Sequence, residues 1–305
     1  MRGFKFRQLL LSALALSLVA AACGSSGSPS TTTSKESLTF GAFNFNESAI
    51  LMYMYGKALE SKGYTVTYKA NLGNREIVEP ALASGSIDFY PGYAATDLEF
   101  INKGKGEANG DAQATTDKLN TYLSAIGAKA LNPSPAVDGN AFAVTKATAD
   151  KYHLTKISDL APVAGQMVLG GPTECPTRPF CQLGLQNTYG LHFKDFKALD
   201  AGGPLTKTAL KNGDIDVGLV FSSDGGIAAN NFVVLQDDKH LQNADNIVPI
   251  IRTAKLNSEI TDLFNKISAA LTTDDLTKLN KSADIDKQDP GDLAATWDKD
   301  HGFTK

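Results

Sequence analysis

From Leu38 onward the chain alternates short apolar runs with amphipathic stretches. Leu38–Phe40, Tyr64–Lys69 and Ile87–Tyr90 are predicted to be strands. Between them, apolar residues at helical spacing predict two helices, one carrying Ile50, Leu51, Met54, Ala58 and Leu59 on one face and one over Arg75–Ala83. Asn44 and Glu47 stand three apart like a capping box, which predicts where the first helix begins. This βαβαβ order is typical of a mostly parallel sheet covered by helices.

The chain then repeats part of itself. Leu82–Asp88 and Leu210–Asp216 share the pattern L-x-x-G-x-I-D, 128 residues apart. Each copy predicts a helix that ends at a glycine and a buried strand that begins at an isoleucine. The second copy has its own strands and helices, predicted at Ala141–Val144, Ala147–Tyr152, Met167–Gly170, Thr206–Lys211 and Ile215–Phe221. Two similar α/β lobes are therefore expected. The alternative is that the short match arose by chance, because a helix followed by a glycine and a strand is a common arrangement.

The residues after each isoleucine strand are candidates for a binding site. Tyr90–Thr96 reads YPGYAAT, and Phe221–Gly226 reads FSSDGG. Ligands of open α/β sheets bind outside the carboxyl ends of the strands. Two facing lobes are thus expected to enclose a cleft lined by aromatic rings and edged by hydroxyl groups.

The N-terminal residues have the layout of an export signal. Arg2, Lys5 and Arg7 precede an uncharged run from Leu9 to Ala22, and Cys23 follows. Residues 1–22 are predicted to be a signal peptide, with Cys23 as the first mature residue. The run is too short to span a bilayer. The Ser/Thr/Gly/Pro-rich residues 23–37 are interpreted as a flexible linker.

Charge and cysteine content narrow the function further. Without the three basic residues of the signal, 26 basic residues face 33 acidic ones, a formal net charge of −7, which disfavours nucleic-acid binding. Cys175 and Cys181 form one close pair, for which a disulfide is expected outside the cytoplasm. The alternatives are two free buried thiols or a metal site, although no second pair of ligands accompanies them. The four histidines lack ligand spacing, and no metal or other cofactor is expected. No G-x-S-x-G, P-loop or H-E-x-x-H motif is present, so an enzyme is not expected.

Several stretches resemble one transport family. They are GAFNFNESAI at 41–50, SGSIDFYPGYAATD at 84–97, FAVTKATADKYHLTKISDLAP at 142–162, GPTECPTRPFCQLGLQNTYGL at 171–191 and GDIDVGLVFSSDGGI at 213–227. The chain is similar to the glycine betaine/choline/carnitine-binding proteins of bacterial ABC importers. The signal resembles that of a lipoprotein, which implies a lipid on Cys23 and attachment to the outer face of the cell membrane. Plain secretion is the alternative.

The resemblance implies an α/β, two-lobed periplasmic-binding-protein-like fold (type II), with two βαβ lobes joined by a two-strand hinge. Lobe one is expected at 38–138 and 240–305, and lobe two at 139–239. The connections between them are expected near Pro133–Gly139 and Asp237–Asn246, with Ile260–Leu271 a helix and Trp297 anchoring the tail in lobe one.

The resemblance also implies a cage of aromatic rings for a quaternary ammonium and an arginine for a carboxylate. Tyr93 falls on a cage position, Thr96 on a polar one and Arg178 on the carboxylate-binding arginine. Asn140 and Phe221 fall where the family usually has tyrosines, and Phe43 falls where it has a polar residue. Asn44 and Ser223 complete the expected site. Each aromatic residue could instead belong to the core.

The implied function is capture of a small osmoprotectant-like solute by a monomeric protein that delivers it to a membrane permease. The exchanged residues also favour an importer protein for a larger or more apolar molecule. A sensory lipoprotein is the remaining alternative.

Overall fold

The structure is a computed structural model that describes residues 35–243 and 245–305. The predicted signal peptide, the lipidation site Cys23 and most of the predicted linker lie outside the described residues. Among the described residues no helix has the length and apolar character needed to span a membrane.

The strands and helices of the described residues follow the alternation predicted from the sequence. The strands are β1 (Ser37–Gly41), β2 (Thr65–Lys69), β3 (Phe89–Tyr93), β4 (Ala128–Ala130), β5 (Asn140–Thr145), β6 (Val168–Pro172), β7 (Asp195–Leu199), β8 (Val217–Phe221), β9 (Phe232–Leu235) and β10 (Ile247–Arg252). The helices are α1 (Asn46–Glu60), α2 (Arg75–Ala83), α3 (Ala94–Ile101), α4 (Ala112–Leu123), α5 (Lys146–Tyr152), α6 (Gln182–Tyr189), α7 (Pro204–Asn212), α8 (Gly226–Ala229), α9 (Ser258–Ala270), α10 (Thr273–Asp284) and α11 (Pro290–Asp300).

The strands form two five-stranded sheets with the same layout. One has the order β2-β1-β3-β10-β4 and the other β7-β6-β8-β5-β9. The predicted two-lobed α/β fold is confirmed. We call the half with the first sheet lobe one and the half with the second sheet lobe two. The exact residue limits of the lobes stay a prediction.

The sheets are less parallel than the sequence pattern predicts. β1 pairs in parallel with β2 and β3, and β6 with β7 and β8. In contrast, β10 is antiparallel to β3 and β4, and β5 is antiparallel to β8 and β9. The antiparallel strands β5 and β10 are those that enter each lobe from the other, so they do not belong to the βαβ units that predict parallel pairing.

Each lobe has its own apolar core. The core of lobe one joins Phe40 and Tyr55 near the chain start to Phe264 and Trp297 near its end, all of them buried. In lobe two, Phe142, Leu169 and Leu219 pack together. The C-terminal helices thus complete lobe one, because their apolar faces pack into the same core as β1 and α1.

The two connections between the lobes run side by side. Val137 forms an isolated antiparallel bridge with Asn246, and the Asp138 amide donates to the Asp245 carbonyl at 3.1 Å. These two connecting segments form the predicted hinge, and they place Asp138 and Asp245 side by side between the lobes.

The predicted capping box at Asn44 and Glu47 is wrong. Phe45 is the N-cap residue of α1, and its side chain makes no cap hydrogen bond. Glu47 is buried, and its carboxylate is bonded by side chains from other elements. The tertiary donors satisfy the carboxylate in place of the local backbone amide.

Candidate functional site

A cavity of about 100 Å³ lies between the lobes. Its walls come from the carboxyl ends of strands, the starts of α2 and α3, the hinge and the loop around the cysteine pair. Seven of the eight predicted ligand-binding residues line it: Phe43, Asn44, Tyr93, Thr96, Asn140, Arg178 and Phe221.

Aromatic rings from both lobes form one wall of the cavity. Phe43 and Phe45 stack with ring centroids 5.8 Å apart and planes 8° apart. Phe45 also lies 6.1 Å from Tyr93 and 5.3 Å from Phe221. Phe221 belongs to lobe two and the other rings to lobe one. Such ring faces attract cations through their negative π-face potential.

Tyr93 is held by a buried carboxylate. Its hydroxyl donates to Glu47 at 2.8 Å. Burial and the charge of Glu47 raise the pKa of Tyr93 well above its usual value. The ring therefore stays a neutral phenol, fixed in orientation at the cavity wall.

Arg75 at the start of α2 also lines the cavity. Its guanidinium carbon lies 4.9 Å from the Phe43 ring centroid, and Nε donates to Asp97 at 2.6 Å. Burial acts to lower the pKa of Arg75, but the charge of Asp97 raises it above its usual value. One face of Phe43 is thus covered by a cation of the protein itself.

Arg178 lies in a short loop closed by a disulfide between Cys175 and Cys181, whose Cα atoms are 5.1 Å apart. Its Nη2 donates to Glu76 of lobe one at 2.7 Å, and its guanidinium lies 4.8 Å from the Phe100 ring centroid. Burial, together with the charge of Arg75, lowers the pKa of Arg178. The guanidinium therefore bridges the lobes at the cavity rim.

Asn140 and Thr96 contact the protein as well as the cavity. Asn140 is the first residue of β5, opposite Phe221 on β8, and its Nδ2 donates to the Phe180 carbonyl at 3.0 Å. The Thr96 hydroxyl donates to Asp245 at 2.5 Å.

Two buried hinge carboxylates lie at the cavity floor. The pKa of Asp245 is raised to about 6, chiefly by burial and to a smaller extent by the charge of Asp97, although hydrogen bonds from Thr96 and the charge of Arg75 act to lower it. Burial and the nearby Glu47 raise the pKa of Asp138 well above its usual value. An organic cation in the cavity would favour the ionised form of either group.

Ser223 is the predicted site residue that does not line the cavity. It is fully buried behind the aromatic wall, and its hydroxyl donates to Glu47 at 2.7 Å. The strand-end pattern indicated the correct edge of the sheet, but the turn after β8 directs this side chain away from the cavity.

Comparison with known proteins identifies the family. Residues 36–300 match the model of the substrate binding domain of the ABC-type glycine betaine transport system. The chain belongs to this family. The glycine-betaine-binding protein of Pseudomonas aeruginosa is 29% identical over 279 residues, which cover 87% of this chain and 88% of that protein. The glycine betaine-binding protein YehZ of Escherichia coli K12 is 26% identical, with 85% of this chain and 88% of that protein covered.

A solved structure agrees with the family assignment. The crystal structure of a glycine betaine/carnitine/choline ABC transporter protein superposes with a TM-score of 0.69 and 27% identity, and the match covers 87% of this chain and 99% of that one. The resemblance found in the sequence is confirmed. As a member of the glycine betaine substrate-binding family, the chain is the extracytoplasmic solute-binding component of an ABC importer, and the family is one of transport proteins.

Sequence reasoning missed several residues of this family member's cavity. They are Phe45, Arg75, Phe100, Asp138, Phe180 and Asp245. Phe45 lies two residues from Phe43 after the same strand, and Arg75 follows the carboxyl end of β2, so the strand-end rule applied to every strand would have found both. Asp138 and Asp245 lie within the two predicted connections between the lobes, where a side chain can face the cleft from the hinge.

Proposed function

We propose that the cavity binds a small quaternary-ammonium solute and that the protein delivers it to the importer's membrane permease. The observation that supports this most is the juxtaposition of the rings of Phe45, Tyr93 and Phe221 with the hinge carboxylates Asp138 and Asp245. Ring faces and nearby carboxylates together stabilise a desolvated organic cation. The names of the relatives point to the same ligand class.

Calorimetry with matched ligands tests this proposal. Choline, glycine betaine and carnitine are titrated beside 3,3-dimethyl-1-butanol, a neutral molecule of nearly the same shape as choline. We expect at least one of the three quaternary-ammonium compounds to bind and the neutral analogue to bind at least tenfold more weakly, because it lacks the cation–π interaction. Equal binding of choline and its neutral analogue would contradict the proposal and favour the larger or more apolar ligand that the exchanged residues suggested.

A variant pair connects the binding to the ring wall. Phe45→Leu removes a π face, and we expect about thirtyfold weaker binding of the cation, equivalent to about 2 kcal/mol. Phe303→Leu changes a ring near the chain end that packs on Trp297, outside the cavity, and should leave the affinity unchanged.

The attachment of the protein to the membrane is part of the proposal. The lipoprotein-like signal supports cleavage before Cys23 and acylation of that cysteine, which would tether the protein at the extracytoplasmic face of a bacterial membrane. We further propose that the protein acts as a monomer and without catalytic activity. Metabolic labelling with a radioactive fatty acid should mark the wild-type protein and not Cys23→Ala. Labelling of both would exclude this anchor.

A further inference from the structure

Glu47, Ser223 and Asn280 form a buried polar cluster that joins the two lobes. The Ser223 hydroxyl donates to Glu47 Oε2 at 2.7 Å, and Asn280 Nδ2 lies 2.5 Å from the same oxygen and 2.9 Å from Ser223 Oγ. Glu47 and Asn280 lie on α1 and α10 of lobe one, whereas Ser223 follows β8 in lobe two. We call these three residues the interlobe cluster.

The same carboxylate also holds a ring of the binding wall. Glu47 Oε1 accepts the hydroxyl of Tyr93 at 2.8 Å. One side chain therefore contacts a ring that lines the cavity and a residue of the opposite lobe. No other described residue of lobe two donates a hydrogen bond to Glu47.

The cluster is also tied to the hinge. The Ser223 amide donates to Asp138 at 2.8 Å, and Asp138 belongs to the connection between β4 and β5. Movement of lobe two about this connection changes the distance between Ser223 and Glu47. Opening the lobes would remove a donor from a carboxylate that is 95% buried, and hydrogen bonds to such a charged acceptor contribute more than those between neutral groups.

We infer that the interlobe cluster stabilises lobe closure and that Ser223 is a positioning residue, which acts through Glu47 on the orientation of Tyr93. This inference rests on the proposed function for its effect on affinity. Ser223 does not contact the ligand. It completes the hydrogen bonds of Glu47 only when the lobes are closed, so that the Tyr93 ring is fixed at the moment the cavity is enclosed.

Ser223→Ala, Glu47→Gln and the double variant test the inference, with Ser268→Ala as the matched control. Ser268 Oγ makes a buried hydrogen bond with the Tyr55 hydroxyl at 2.9 Å, and both residues belong to the core of lobe one. Choline and glycine betaine affinities are measured by calorimetry, and lobe separation by small-angle scattering with and without ligand.

We expect Ser223→Ala to weaken binding by about tenfold, the effect of losing one hydrogen bond to a charged group. The double variant should bind little more weakly than Glu47→Gln alone, because glutamine at position 47 has already removed the charge that makes this contact strong. Ser223→Ala should also increase the radius of gyration without ligand. Ser268→Ala should lower the melting temperature but change neither affinity nor radius.

Two results would overturn the inference. One is wild-type affinity in Ser223→Ala, and the other is additive losses in the double variant. If the wild-type protein binds neither ligand, the proposed function fails, but scattering without ligand still tests the inference. Equal radii of gyration for the wild-type protein and Ser223→Ala would then exclude the cluster as a stabiliser of closure.

Discussion

At the scale of single residues, Glu76 is already bonded to Arg178, the residue that the family resemblance predicts to bind a ligand carboxylate. Glu76 bonds Arg178 at 2.7 Å, but its own side chain is 42% exposed. An ion pair with one exposed partner stabilises by at most about 1 kcal/mol. A carboxylated ligand must displace Glu76, whereas choline need not.

We therefore predict that Glu76→Gln raises the affinity for glycine betaine relative to choline by up to about fivefold. The ratio of the two dissociation constants from calorimetry is the measurement. Glu60→Gln removes the same charge from an exposed position at the end of α1 and serves as control. An unchanged ratio in Glu76→Gln would mean that Arg178 does not meet the ligand carboxylate.

Asp245 gives the binding a pH dependence. Its pKa is raised to about 6, chiefly by burial. A cationic ligand favours the ionised carboxylate, so affinity is low where Asp245 is protonated and rises as the pH passes through about 6. A charge pair screened as in water is worth about 1 kcal/mol at 4 Å, which predicts about a fivefold gain in choline affinity from pH 5 to pH 8.

Calorimetry of choline binding across that range measures the gain. Asp245→Asn should remove the part of the gain that is centred near pH 6, whereas Asp300→Asn, an exposed aspartate on α11, should retain it. A profile that is the same in the wild-type protein and Asp245→Asn would assign the titration to another group.

The residue scale is also where sequence reasoning was least complete. Tyr93 and Phe221 follow strands whose ends are recognisable in the sequence, and Arg178 comes from the resemblance to the family's motifs alone. All three residues line the cavity. Glu47 was interpreted as a local helix cap. Its partners Ser223 and Asn280 are 176 and 233 residues away, and a single sequence carries no signal for such a pairing.

At the scale of elements, the loop closed by the cysteine pair positions Arg178. We predict that replacing Cys175 and Cys181 together by serine lowers the free energy of unfolding by about 2–3 kcal/mol in the chain-entropy account. Binding of glycine betaine should weaken more than binding of choline, because the loosened loop carries the arginine. Denaturant titration and calorimetry measure the two effects, and mass spectrometry of the non-reduced protein should find no alkylatable thiol at either position.

The repeated pattern is the element-scale feature that the sequence predicted best. Gly85 and Gly213 both have a φ of +77°, and each ends a helix. Asp88 accepts the Thr39 amide at 2.9 Å, and Asp216 accepts the Val168 amide at 2.8 Å. The two aspartates buttress neighbouring strands from equivalent positions of the repeat. In both lobes a glycine with positive φ ends a helix before a strand begins, and because this turn depends on local sequence, a short pattern predicts it.

At the scale of the whole molecule, the two lobes and the return of the C-terminal helices to lobe one could be predicted from the sequence. The directions of the strands could not. Helix and strand periodicity describes the βαβ units, whereas the direction of β5 and β10 depends on where the chain crosses between lobes. That crossing is a property of the complete topology, and no local pattern specifies it.

Stability of the whole molecule should depend on Asp298, which lies on α11 under the core of lobe one. It is fully buried, and neither carboxylate oxygen accepts a hydrogen bond from a described residue. Burial raises its pKa to about 8, although the charge of Lys57 acts to lower it. The pKa of this carboxyl is near 4 in the unfolded chain. Between pH 4 and about pH 8, the folded protein therefore binds a proton that the unfolded chain has released.

In that window the free energy of unfolding should fall as the pH rises, by up to about 1.4 kcal/mol per pH unit from this group. The stabilising contribution of the bound proton is fully present below pH 4 and is completely lost above pH 8. Asp298→Asn has no such proton, so we predict that its stability relative to the wild-type protein increases steadily from pH 4 to pH 8 and then stays constant. Denaturant midpoints at several pH values measure this difference. The stability of Asp300→Asn, a variant of the exposed neighbour on the same helix, should depend on pH as that of the wild-type protein does. If the stability of Asp298→Asn also followed the wild-type pH dependence, the buried carboxyl would be ionised in the folded state.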